Sequence, residues 1–119
     1  MYKIAINNGY GGFRLSFQAV SYIFDNMSQE EKHEMKKDFN KEDASDSWSI
    51  KDHIAFEIGN LPRHHKLLVE AIEKFGKDAG SFYCNPIVVE VKGDRYIIKE
   101  YDGWESVVEP EDISWIKIE

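Results

Sequence analysis

Asn7-Asn8-Gly9-Tyr10-Gly11-Gly12-Phe13-Arg14 decides how the rest of the chain is read. It follows the apolar run Tyr2 to Ile6, which alternates as a short strand with Ile4 and Ile6 on one face. Three glycines in four positions free the backbone for positive φ and expose its N–H groups. Ser16 then has the place and chemistry of a helix N-cap, ahead of Phe17, Val20, Phe24 and Met27 at helical spacing. Strand, glycine turn and helix start make either a plain tight turn or an anion cradle, because the first N–H groups of a helix lack partners. The stretch has no G-x-G-x-x-G frame and no following Gly-Lys-Ser/Thr, so spacing alone names no nucleotide fingerprint.

Downstream, Ser28 and Glu31 have capping-box spacing, and the very polar residues 30 to 37 read as a solvated helix. Residues 38 to 47 are acidic and aperiodic and read as a loop. Trp48 and Ile50 resume apolar character, and Ile54, Phe56 and Ile58 alternate as a short strand ended by Gly59-Asn60. Pro62 opens the clearest helix, with the stripe Leu67, Leu68, Ala71, Ile72 and Phe75 and a terminating Gly76. That places Arg63, His64 and His65 in its first turn, where charged cations oppose the dipole at about 0.3–1 kcal/mol.

Beyond Pro86 the pattern is β. Ile87, Val89 and Val91 alternate, Gly93-Asp94 turns the chain into Arg95 to Tyr101, and Asp102-Gly103 is a two-residue hairpin signal before Trp104 to Glu109. Residues 113 to 119, with Ile113, Trp115 and Lys117 alternating with Ser114, Ile116 and Ile118, suit a last strand. The expectation is one α+β ligand-binding domain over 1–119. Its antiparallel sheet joins a C-terminal meander to the N-terminal strand, packs with two main helices, and carries 28–59 as an elaboration.

Charge narrows the partners. A net charge of −7 and a pI near 5.1 argue against duplex nucleic acid. Cys84 is the only cysteine, which rules out an intramolecular disulfide and a cysteine zinc site. No apolar run reaches the roughly 20 residues of a membrane span. Nor does the N-terminus read as a signal peptide, so a cytoplasmic location without membrane contact is expected. There are only three arginines, Arg14, Arg63 and Arg95, which makes each worth following.

Catalysis and metal binding have thin support. His53 and Glu57 are four apart with His64 and His65 downstream, but no His/Cys cluster accompanies them. Cys84 is more readily core filler than nucleophile. Binding is better supported, because Tyr10, Phe13, Phe82, Tyr83, Tyr101 and Trp104 sit beside expected loops. Flat rings there can stack a nucleobase, each contact being worth about 1–3 kcal/mol. Arg14 or Arg63 can take a phosphate, the turn Gly11-Gly12 adds N–H donors, and Asn85 or Asp102 can accept from riboses. On this reading both arginines serve ligand rather than stability, and Phe82 is the adenine stacker.

The blocks Asn7-Asn8-Gly9-Tyr10-Gly11-Gly12-Phe13 with Leu15-Ser16, Arg63-His64, Leu68-Val69-Glu70, Val88-Val89-Glu90-Val91 and Glu100-Tyr101-Asp102-Gly103-Trp104-Glu105-Ser106-Val107 resemble the phage-encoded anti-Thoeris sponge family, in the same order. The resemblance covers roughly 1–27 and 60–109 and leaves 28–59 particular to this chain; Gly9 departs from the cysteine or polar residue expected there. It implies a non-enzymatic protein, without cofactor or metal, that sequesters cyclic ADP-ribose isomers in the host bacterial cytoplasm and so blocks Thoeris antiphage defence. It further implies a homo-oligomer with pockets between protomers, and cyclic dinucleotides as second ligands. Motif and physical reading together nominate Tyr10, Gly11, Gly12, Phe13, Arg14, Arg63, His64, Phe82, Asn85, Tyr101, Asp102 and Trp104. The alternatives are a small enzyme degrading a nucleotide signal and a protein–protein interaction module.

Overall fold

The computed structural model describes residues 1–37, 39, 49–81, 83–114 and 116–118. Most of the loop expected over 38–47, together with Trp48, Phe82, Trp115 and Glu119, lies outside them. The chain is α+β. Strand β1 (Tyr2–Asn7) leads to helices α1 (Phe17–Asp25), α2 (Gln29–Lys36), α3 (Ile50–Gly59) and α4 (Lys66–Phe75). Strands β2 (Pro86–Val91), β3 (Ile97–Tyr101) and β4 (Trp104–Val108) follow, with single 3-10 turns at Gly76–Ala79 and Pro110–Asp112. Among the described residues no helix is long and apolar enough to cross a membrane.

The strands form two antiparallel pairs rather than one sheet, β1 with β2 and β3 with β4. The period-2 pattern of β1 explains the stacking. Ala5 and its partner Val88 face the helices, joining Ala19, Ile23, Ile58, Leu68 and Ile72 in the main core. Ile4 and Ile6 point the other way, with Val91, and receive Ile98 and Val107 of the β3–β4 hairpin. The expected meander therefore breaks after β2, and its last two strands pack on the face of β1–β2 instead of extending its edge. Fully burying an isoleucine is worth about 1.5–3 kcal/mol, so β1, covered on both faces, is the element the layers share.

Local signals account for the helices. Ser16 caps α1 by accepting from Ala19 N–H at 3.2 Å, and Ser28 with Glu31 completes a capping box on α2. Gly76, at φ 57°, ends α4. Three expectations are corrected. Residues 54 to 58 are helical, not a strand, because Ser49 and Asp52 form a second capping box that starts α3. Helix α4 begins at Lys66, so Arg63 and His64 lie in the turn before it and His65 is its N-cap. His65 Nδ1 accepts from Leu67 N–H at 3.2 Å, which leaves the ring proton on Nε2, 3.6 Å from Glu31. The described part of 113–118 forms no strand, and Ile116 and Ile118 are almost wholly exposed.

Candidate functional site: a glycine turn locked to a hairpin tip

Asn7, the last residue of β1, organises the site. It is fully buried, and its side chain amide donates to the carbonyls of Gly9 at 2.6 Å and Gly103 at 2.7 Å. Its Oδ1 accepts from Asn85 N–H at 2.9 Å, and its own backbone N–H donates to Glu105 Oε1 at 2.8 Å. One side chain therefore ties together the glycine turn, the loop before β2 and the hairpin tip. Each bond contributes about 1 kcal/mol net, but leaving such groups buried and unmet costs more.

The hairpin tip is shaped to fit. Asp102 and Gly103, at φ 50° and 86°, make the two-residue turn that its strand register requires. A Cβ on Gly103 would collide with the carbonyl oxygen of Tyr10 and stand 2.5 Å from Gly12 N, so only glycine lets the two turns touch. Glu100 closes the tip by accepting from Gly103 N–H at 3.1 Å. The Asn85 side chain adds a bond to Asn8 O at 3.3 Å, and Asn8 N–H donates to Asn85 O at 2.8 Å.

Beneath this lies an ion pair. Arg63 donates from Nη1 to Glu105 Oε1 at 2.6 Å and from Nη2 to Oε2 at 2.9 Å, while its Cζ sits 3.7 Å above the Phe13 ring centroid. Nη1 also reaches Ala5 O at 3.3 Å, and Ala5 N–H donates to Arg63 O at 2.8 Å. The guanidinium expected to meet a phosphate is instead engaged by an internal carboxylate, and Phe13 is its packing surface. The expectation that Arg63 serves ligand rather than stability does not match this geometry.

What the lock holds outward is aromatic. Tyr10 and Trp104 meet edge to face, centroids 4.9 Å apart, and Tyr101 stands opposite Trp104 across the turn. All three are exposed, Tyr101 to 80% and Tyr10 to 64%. With Lys99, Glu100 and Ser106 they line an open depression of about 380 Å³. An exposed ring set on a tightly bonded backbone loses little freedom when a planar group stacks on it.

The nominated residues thus divide. Tyr10, Tyr101 and Trp104 form the platform; Gly11, Gly12 and Asp102 belong to its two turns; and Asn85, Arg63 and Phe13 support it. Arg14 lies elsewhere, in a groove of about 450 Å³ between the glycine turn and α3 that Asp52, Ala55 and Phe56 also line. His64 pairs through Nδ1 with the Tyr96 hydroxyl at 2.9 Å, beside a smaller cavity of about 190 Å³. Phe82 falls outside the described residues. Sequence reading gave no role to Asn7, Lys99, Glu105 or Ser106. Glu105 left a trace, a charged residue in register with apolar positions that face the core.

The remaining chemical candidates are quiet. Burial pushes the Cys84 thiol above its ordinary range, away from the thiolate a nucleophile needs. His53 and Glu57 do share a face, but of a helix, at 4.0 Å, and His53 Nε2 also lies 2.9 Å from Lys37 O. Among the described residues no group of three or more His, Cys, Asp or Glu is placed to hold a metal ion. Compared with family models, with curated proteins and with solved structures, the chain gives no match.

Proposed function

We propose that the protein sequesters a cyclic nucleotide signal of the cyclic ADP-ribose class without cleaving it, and so blocks a Thoeris-type antiphage defence. The adenine stacks on the Tyr10–Trp104–Tyr101 platform, and Lys99, one rung down the hairpin, supplies the cation for the pyrophosphate. A second copy of the chain closes over the open platform, so the working unit is a homo-oligomer. The observation that carries this reading is the fit of Gly103 into the Tyr10–Gly12 turn. It joins two of the sequence blocks that carry the family resemblance, far apart in the chain, into one rigid aromatic surface.

Titration calorimetry with a cyclic ADP-ribose isomer tests the site. Trp104→Ala and Tyr10→Ala should each weaken binding by about 1–3 kcal/mol, the worth of one base–aromatic stack, and Lys99→Ala should lower affinity most at low salt. Unchanged affinity in both aromatic variants would remove the platform from the site.

A further inference from the structure

We infer that the groove beside α2 docks a basic, amphipathic helix of a partner protein. Helix α2 has no buried residue, and its charges are sorted by face. Lys32 and Lys36 each lie 5.5 Å over the Phe24 ring on one flank. Glu30 and Glu34, with His33 and the Glu31 that caps Ser28, line the other flank, around an open groove of about 590 Å³ whose apolar lining is Met27, Met35 and Leu61. A flexible methionine floor with an acidic rim is the chemistry that accepts the apolar face of a helix and pairs its flanking lysines and arginines.

Eight residues of helix run about 12 Å, which matches two to three turns of a partner with apolar anchors one turn apart.

The test uses the full chain and a fluorescein-labelled peptide of about 14 residues, with leucines on one helical face and lysines elsewhere. The control peptide has the same composition with the leucines scattered. Anisotropy in about 150 mM salt should give at least about tenfold tighter binding for the amphipathic peptide. Glu30→Lys with Glu34→Lys should weaken it about tenfold or more, and Met35→Gln about threefold. Glu111→Lys with Asp112→Lys, outside the groove, should leave it within about twofold. Because Glu30 and Glu34 are exposed, that pair should stay folded, with only a small drop in melting point from a lysine in the first turn of α2, which keeps the test sound even if Met35→Gln destabilises the fold. Equal binding of the scattered peptide, or equal loss from the control substitutions, would mean diffuse attraction to an acidic protein and would overturn the proposal. Parent-like binding by the Glu30/Glu34 variant would overturn it too. So would light scattering in which the groove variants break up an oligomer while the peptide never bound.

Discussion

Arg63→Ala isolates the ion pair that supports the site. The Glu105 side chain is only 9% exposed, and the substitution leaves its carboxylate with one donor, Asn7 N–H. Breaking a buried pair from one side typically costs about 3–5 kcal/mol. Arg63 is itself 21% exposed, so water can enter the space it vacates, which favours the lower end, about 3 kcal/mol. For a domain of this length each kcal/mol moves the melting point by roughly 3–5 °C, so Tm should fall by roughly 10–15 °C. Arg63→Lys keeps the charge but loses both the fork on Glu105 and the flat contact with Phe13, and should fall between. Arg63→Met combined with Glu105→Met should recover part of the loss, leaving mainly the unmet Asn7 N–H. Calorimetric melting and urea titration of the three variants and the parent measure this. An Arg63→Ala protein melting within about 2 °C of the parent would show that the ion pair does not support the site.

Gly103→Ala should unlock the tip: an L side chain there costs about 1–2 kcal/mol for its backbone angle alone, before the collision with Tyr10 and Gly12. Fast amide exchange at Gly9–Gly12 would register it, and exchange like the parent's would contradict it. Backbone and hydroxyl bonds from Ser28 and Ser49 hold Glu31 and Asp52 below their ordinary values of 4.5 and 3.8. Their folded pKa values are lowered, so the stability they lend is present above the unfolded values and fades as pH falls through the folded ones. Urea midpoints should therefore drop below about pH 5, and less so in Ser28→Ala with Ser49→Ala, whose parallel decline would contradict the assignment. Light scattering at micromolar protein should show at least a dimer, and a species near 13.9 kDa alone would count against closure of the platform by a second copy.

The local grammar of the chain was legible. Ser16, the Ser28–Glu31 box, Gly76 and the Asp102-Gly103 turn each act within a few residues, and each stands where the sequence puts it. The misreading of α3 shows the limit of a short period. Ile54, Phe56 and Ile58 alternate, but they are too few to separate a strand from a helix, and the Ser49–Asp52 box just upstream was the better signal. The layering of the hairpin on β1–β2 was not legible, because alternation says that a face is buried and not which element buries it. The site was half legible. Its aromatic and glycine residues stand out by type, whereas Asn7 to Glu105 and Arg63 to Glu105 are contacts across 98 and 42 residues that no local pattern encodes.

Capture without chemistry, the activity proposed for this protein, is open to one direct experiment. The protein is incubated with a cyclic ADP-ribose isomer, free nucleotide is assayed in the filtrate, and the complex is then heated and the released nucleotide analysed by mass. The signal should vanish from the filtrate in proportion to the sites added, return intact on heating, and remain in the filtrate when Trp104→Ala with Tyr10→Ala replaces the parent. A product of altered mass after heating, or no depletion before it, would contradict the account.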